Sequence, residues 1–196
     1  MVLTVDRKRR TKETDISLKI NFDGSGKCEV TTNLPFFDHM LSSMGKHGRF
    51  DIDIRVKGDL DVDDHHVVED VGIVLGEAIH EALEERGSVR RFGSAIVPMD
   101  DALVLLALDL GGRSYLDAKL EFSKKHAGSF GLNNIKHFLR SLSDAGKLNL
   151  HVKVLAGEDD HHLAEAVFKA LGIGLRAAIE VDPSLSGSVP STKGTL

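Results

Sequence analysis

A short motif occurs twice in this chain of 196 residues, and its repetition restricts the possible folds more than any other feature. The segment DHHVVEDVGIVLGEAI begins at Asp64 and DHHLAEAVFKALGIGL begins at Asp160, so the shared HHxxE cores lie 96 residues apart. A repeat period of this length is too long for a solenoid and predicts a duplicated half-domain instead. Each half is therefore expected to carry the same order of helices and strands.

Hydrophobic periodicity predicts the element order βββαβα in each half. Strands are predicted at 5–10, 14–21, 28–33 and 51–57 in the first half and at 92–99, 103–110, 115–120 and 148–155 in the second. Helices are predicted at 35–44 and 65–86, and again at 133–145 and 160–180. This combination predicts an α+β protein in which four helices pack against two mixed four-stranded sheets.

The chain is expected to form one compact unit with three parts. The first half covers residues 1–91, the second half covers 92–181, and a tail covers 182–196. The tail contains Pro183, Gly187, Pro190 and Gly194, and this composition alone predicts disorder.

Composition restricts the partners and the location of the protein. The formal net charge is −5 and aromatic residues make up 5% of the chain, whereas nucleic-acid binding needs a concentrated basic face and aromatic rings for stacking. No apolar run reaches the roughly 18 residues of a membrane span, and no apolar stretch follows the basic N-terminus. We therefore expect a cytoplasmic protein without a membrane or nucleic-acid partner. Cys28 is the single cysteine and excludes an internal disulfide.

The HHxxE motifs offer ligands for a divalent transition metal, because neutral imidazole and carboxylate both bind such ions. Successive helical residues are about 100° apart around the axis, so His65 and Glu69 share a face from which His66 points away. One motif therefore cannot readily place both of its histidines on one ion. Sharing between the copies predicts two ions, one bound by His161, Glu165 and His66 and the other by His65, Glu69 and His162.

Two further histidines fit the duplication. His39 and His137 lie in matching predicted helices, 26 and 24 residues before their HHxxE copies. Each would add one ligand, and three histidines with one glutamate suit six-coordinate Mn²⁺ better than a tetrahedral structural Zn²⁺. A single histidine pair on a helix is more often a surface or capping feature, so it is the duplication that favours a metal site.

The other histidines and an acidic loop have simpler explanations. His47 is compatible with a structural or a functional role, whereas surface or structural positions are expected for three histidines without duplicated counterparts: His80, His126 and His151. A superficial likeness to a Ca²⁺ loop is found at Asp59, Asp61, Asp63 and Asp64. This loop lacks the glycine and the terminal glutamate of an EF-hand, and a solvated turn that caps the next helix is the preferred interpretation.

The ordered motifs closely resemble those of the imidazoleglycerol-phosphate dehydratase family over essentially the whole chain. The stretches that carry the resemblance are LPFFDHML (34–41), KHGRFDI (46–52), GDLDVDDHHVVEDVGIVLGEA (58–78), RRFGSAIVPMDDAL (90–103), LDLGGR (108–113), IKHFLRSL (135–142), DDHHLAEAVFKAL (159–171) and VPSTKG (189–194). Two single-residue departures are mild: Asp101 stands where the family usually has Glu, and Gly111 where Ser is usual. In addition, residues 184–188 lack a commonly seen arginine.

The resemblance implies a ribosomal protein S5 domain 2-like fold and a homo-oligomeric cage of about 24 subunits with active sites at the subunit interfaces. It implies two Mn²⁺ ions per active site, one bound by His39, His66, His161 and Glu165 and the other by His65, Glu69, His137 and His162. It also implies a set of substrate contacts: Glu13, His39, His47, Arg91, Arg113, Lys169, Ser191, Thr192 and Lys193. The tail motif VPSTKG would then be an ordered phosphate clamp rather than a disordered segment.

The implied activity is that of a carbon–oxygen lyase (hydro-lyase) of histidine biosynthesis, which converts imidazole glycerol phosphate to imidazole acetol phosphate. Two metals on the ring nitrogens would stabilise an imidazolate that expels the neighbouring hydroxyl and gives a diazafulvene. Glu13 is the expected base, and its alternative role is to bind a hydroxyl or order the N-terminal strand. The remaining expected catalytic residues are those of the two motifs: His65, His66, Glu69, His161, His162 and Glu165.

Two other functions use the same metal ligands. In a metal-storing shell protein the ions would only join subunits, and in a dinuclear metallohydrolase they would activate water against a phosphoester. Hydrolases usually bridge their ions with carboxylates, whereas histidine dominates here. Separate basic residues suited to a phosphate favour a substrate over a purely structural ion.

Overall fold

Two four-stranded sheets with the same internal order form the two halves of the protein. The computed structural model describes residues 3–185 and residue 190. The first sheet has the order β1-β2-β4-β3 and contains β1 (Thr4–Arg10), β2 (Thr14–Asn21), β3 (Cys28–Thr31) and β4 (Asp51–Gly58). The second has the order β5-β6-β10-β7 and contains β5 (Phe92–Met99), β6 (Ala102–Asp109), β7 (Tyr115–Lys119) and β10 (Asn149–Ala156).

Alternating side chains explain why a central strand such as β2 has one buried face. In β2, Ile16, Leu18 and Ile20 are each at most 1% exposed, while the residues between them face outward. Both sheets are mixed in the same way, because β3 runs parallel to β4 and β7 runs parallel to β10, while the other pairs are antiparallel. The repeated sequence therefore gives a repeated topology.

Four helices lie between these sheets and connect the halves. They are α1 (Pro35–Gly48), α2 (His65–Arg86), α3 (Asn134–Gly146) and α4 (Asp160–Ile179). Each helix packs on the sheet of its own half and on a helix of the other half, α2 against α3 and α1 against α4. Stacked or edge-to-face rings from both halves, Phe37, Phe138 and Phe168, fill the centre with centroid separations of 5.2–6.3 Å. Among the described helices, none combines the length and apolarity that crossing a membrane requires.

The predicted α+β arrangement of four helices and two mixed four-stranded sheets is confirmed, with differences in detail. A short hairpin, β8 (His126–Ala127) with β9 (Phe130–Gly131), interrupts the second half and was not predicted. Helix α1 continues to Gly48 rather than ending before Gly45, because Gly45 packs on Cys28 and the left-handed residue Arg49 (φ 56°) ends the helix. The boundary between the halves at 91/92 stays a prediction.

Candidate metal centre

Three candidate ligands converge where α1 packs against α4. His39 of α1 and His161 of α4 place their Nε2 atoms 3.3 and 3.4 Å from Oε2 of Glu165, one turn further along α4. One ligand atom from each of the three residues lies within 4.8 Å of the others. His161 and Glu165 share a helix face because they are four residues apart, as their spacing in the sequence predicted.

A lysine holds the carboxylate of this first cluster. Nζ of Lys169 lies 3.0 Å from Oε1 of Glu165 and 3.1 Å from Sδ of Met99. Burial of Glu165 raises its pKa, but Lys169 and His39 outweigh burial and bring the pKa below its ordinary value. Burial, together with the charge of Lys169, lowers the pKa of the nearby His47. Lys169, predicted to contact substrate, therefore also fixes the position of a candidate ligand.

The duplicated helices α2 and α3 bring together the corresponding residues of the second cluster. Nε2 of His65 lies 3.6 Å from Oε2 of Glu69, and the rings of His65 and His137 meet edge to face with centroids 4.5 Å apart. The cluster is more open than the first, since no other trio of candidate ligands within residues 3–185 meets the 4.8 Å spacing. Each cluster is thus formed by two helices that pack against each other, one from each half of the chain.

His66 and His162 are placed differently from the other predicted ligands. Nδ1 of His66 lies 3.0 Å from Oδ2 of Asp59, and Nδ1 of His162 lies 2.6 Å from Oδ1 of Asp101. The hydrogen bond from each carboxylate raises the pKa of its histidine. Neither histidine belongs to the compact trio of His39, His161 and Glu165. A single chain therefore brings together three predicted ligands at each cluster and leaves the fourth apart.

The predicted substrate contacts lie in several environments. The guanidinium of Arg91 forms hydrogen bonds of 2.6 and 3.0 Å to Asp109 and donates to the carbonyl of Pro190 at 2.8 Å. Arg113 is exposed in the loop after β6. Oε1 of Glu13 lies 3.8 Å from Nε2 of His66, and its side chain is about half exposed. Three predicted contacts, Ser191, Thr192 and Lys193, lie outside the described residues.

Sequence reasoning missed the carboxylates that hold these groups. The sequence pattern indicates a solvated turn at Asp59 and no partner for Asp101 or Asp109. In the structure these three carboxylates contact His66, His162 and Arg91, respectively. In the acidic loop, Asp63 accepts from the backbone N–H of His65, while Asp64 binds Gly131 and Asn134 instead of capping α2. A cavity of about 530 Å³ lies away from both clusters and is lined by Leu3, Asp23, Glu85, Arg86, Arg176, Glu180 and Val181.

Comparison with known proteins gives one consistent result. The model of the imidazoleglycerol-phosphate dehydratase family matches residues 32–175. An imidazoleglycerol-phosphate dehydratase of Acetivibrio thermocellus is 51% identical over 98% of this chain and 100% of its own length. The chloroplastic imidazoleglycerol-phosphate dehydratase 1 of Arabidopsis thaliana is 44% identical over 96% of this chain and 70% of its own.

Solved structures agree with the sequence comparisons. The enzyme from Pyrococcus furiosus in complex with (S)-C348 is 40% identical, with a TM-score of 0.84 over 97% of this chain and 100% of its own. The enzyme from Staphylococcus aureus is 28% identical, with a TM-score of 0.83 over 92% and 100%.

Proposed function

This chain belongs to the imidazoleglycerol-phosphate dehydratase family, hydro-lyases of histidine biosynthesis, and we propose that its two histidine clusters bind the Mn²⁺ ions used in that reaction. The reaction removes water from imidazole glycerol phosphate and gives imidazole acetol phosphate. The cytoplasmic location stays a prediction.

The observation that supports the metal proposal most strongly is the trio of His39, His161 and Glu165. Two imidazoles and a largely buried carboxylate with ligand atoms within 4.8 Å fit a divalent first-row ion, and nitrogen with oxygen donors suit Mn²⁺. The proposed set at this ion is His39, His66, His161 and Glu165. The proposed set at the other ion is His65, Glu69, His137 and His162.

We propose that each site is completed between subunits of a homo-oligomer. His66 and His162 stand apart from the clusters whose sets they would complete, so another copy of the chain is the natural source of the fourth ligand. The cage of about 24 subunits that the sequence resemblance implies would provide such copies.

The chain's own residues bind and orient the substrate in this proposal. The metals, when bound, would act as Lewis acids on the imidazole ring. Glu13, beside His66, would accept the proton from carbon, and His47 would face the substrate near Lys169. The phosphate would be bound by Arg91, Arg113, Lys169, Ser191, Thr192 and Lys193.

Removal and return of the metal tests this function. Metal-free protein is expected to be inactive toward imidazole glycerol phosphate and to regain dehydration when Mn²⁺ is added. Assembly with Mn²⁺ but without turnover would favour a metal-storing shell, and release of inorganic phosphate would favour a phosphoester hydrolase.

A ligand variant with a matched control sharpens the test. His65→Ala is expected to lower bound Mn²⁺ and turnover together, because His65 contacts both Glu69 and His137. His80→Ala is the control, since His80 lies on the same helix in an equivalent i,i+4 pair with Glu84, at 3.6 Å, yet belongs to neither cluster. Full activity of the His65 variant without bound metal would contradict the dinuclear proposal.

A further inference from the structure

Each of the two separate histidines is held by a carboxylate on its Nδ1 atom. Asp59 lies 3.0 and 3.2 Å from Nδ1 of His66 through its two oxygens, and Asp101 lies 2.6 Å from Nδ1 of His162. An ionised carboxylate only accepts hydrogen bonds, so each Nδ1 must carry the proton of its ring. When such a ring is neutral, its lone pair is on Nε2, on the opposite side, where it can bind a metal ion.

The two carboxylates come from positions that the duplication does not relate. Asp59 precedes His66 by 7 residues in the loop before α2, whereas Asp101 precedes His162 by 61 residues in the turn between β5 and β6. An arrangement inherited from the repeat would use equivalent positions. The same contact reached from two unrelated positions indicates a requirement of the histidines themselves.

Backbone N–H groups hold the side chain of Asp101, whereas none is described for the side chain of Asp59. Oδ2 of Asp101 accepts from the N–H groups of Glu158 and Asp159, at 2.5 and 2.9 Å, which leaves Oδ1 for His162. Asp159 in turn caps α4 by accepting from the N–H groups of His161 and His162. The turn before β6 and the start of α4 therefore form one connected network around His162.

We propose that Asp59 and Asp101 are positioning residues that select the Nδ1–H tautomer of His66 and His162 and aim Nε2 at an ion shared with another copy of the chain. The inference rests on the proposed metal function. Carboxylates behind metal-binding histidines fix ring orientation, and their loss typically weakens metal binding by about 10- to 100-fold. Because each carboxylate serves one histidine, each should affect one of the two ions.

Titration of Mn²⁺ into metal-free protein, with free Mn²⁺ counted by electron paramagnetic resonance, tests the proposal. Asp59→Asn is expected to weaken the ion bound by His66 about 10- to 100-fold and leave the other within about threefold of the wild type; Asp101→Asn should do the reverse at the ion bound by His162. Asp59→Glu and Asp101→Glu keep the anion and should recover most of the affinity. Asp61→Asn, an exposed acid in the same loop as Asp59, is the control for loss of charge.

The outcomes separate this inference from the function on which it rests. A wild-type chain that binds no Mn²⁺ overturns both. A wild-type chain that binds two ions, with Asn variants that bind both equally well or lose both equally, overturns the positioning role alone. If Asp101→Asn fails to fold because the group that accepts from Glu158 and Asp159 loses its charge, Asp59→Asn decides, since the side-chain hydrogen bonds described for Asp59 go only to His66.

Discussion

Asp51 holds the turn between β2 and β3 through one carboxylate oxygen. Its Oδ1 accepts from the N–H groups of Ser25, Gly26 and Lys27 and from the hydroxyl of Ser25, at 2.8–3.2 Å. The backbone hydrogen bonds from Lys27 and Ser25 lower the pKa of Asp51 from 3.8 to about 2. Since the folded pKa is lower than the ordinary value, the ionised group stabilises the fold above about pH 4, and this contribution is lost as the pH falls through 2.

Asp51→Asn is therefore expected to lower the thermal midpoint at pH 7, by an amount equivalent to about 1 kcal/mol, because it replaces charge-assisted hydrogen bonds with neutral ones. The difference from the wild type should shrink between pH 4 and pH 2 in thermal unfolding followed by circular dichroism. Asp53→Asn is the control, since the ion pair described for this neighbour is with an exposed arginine, Arg55, at 3.4 Å. A difference that stays constant down to pH 2 would contradict this role of Asp51.

The role of Glu13 as the proposed base can be tested by replacing one oxygen of its carboxylate with nitrogen. Glu13→Gln keeps the size of the side chain but removes its ability to accept a proton, so turnover should fall at least about tenfold. Bound Mn²⁺ should stay at the wild-type level, because Glu13 belongs to neither proposed ligand set. Asp15→Asn, an exposed acid nearby that pairs with Arg10 at 3.6 Å, serves as the control. Turnover near the wild-type level would remove Glu13 from the mechanism.

At the level of helices, two glycines at equivalent positions allow the halves to pack. Gly76 of α2 and Gly172 of α4 are 96 residues apart, as the HHxxE cores are. A Cβ at Gly76 would lie 2.7 Å from the carbonyl oxygen of Leu142 in α3, and one at Gly172 would collide with the carbonyl of Met44 in α1. The duplication therefore repeats the contact between helices as well as the HHxxE motif.

Gly172→Ala should accordingly destabilise the protein, although alanine is the better helix former. The methyl group would push α4 from α1, at a cost of about 1–3 kcal/mol, and would displace His39 relative to His161. Chemical unfolding measures the first effect and Mn²⁺ affinity the second. Ile173→Ala, on the exposed side of the same helix, should change stability by less than about 0.5 kcal/mol. Equal stability of the two variants would show that the helices can separate without cost.

The elements that the sequence predicted well are those in which the hydrophobic pattern repeats over many residues. The paired helices and eight principal strands left alternating or helical patterns over several residues, whereas β8 and β9 have two residues each and leave no period to detect. The motif histidines were predicted as ligands because they repeat. The contact of His162 with Asp101 joins residues 61 positions apart, and only the fold brings them together.

At the scale of the whole molecule, the proposed ligands lie in two separate places on one chain. One cluster lies at the start of α4 with His39, the other at the start of α2 with His137. If His66 of one copy completes the trio of another, one proposed active site combines the α4 end of one subunit with the α2 end of its neighbour. The duplication would then give each chain two surfaces, the α2 end and the α4 end, that together form one site between neighbouring subunits.

Mixing two inactive variants tests this shared site. His66→Ala removes a proposed ligand from the α2 end only, and Glu165→Gln removes a proposed ligand from the α4 end only. Homogeneous assemblies of either variant should be inactive toward imidazole glycerol phosphate. Co-assembly at equal amounts pairs an intact α4 end with an intact α2 end at about a quarter of the sites, so about a quarter of wild-type turnover should return.

A second mixture provides the control for complementation. His66→Ala mixed with Glu69→Gln carries both lesions at the α2 end, so no pairing of subunits restores a complete site and turnover should stay absent. Recovery only in the first mixture requires ligands from different subunits, because chains that each contain a whole site cannot repair one another. If neither mixture shows turnover, although mass spectrometry verifies that mixed assemblies form, each chain supplies its own full ligand set.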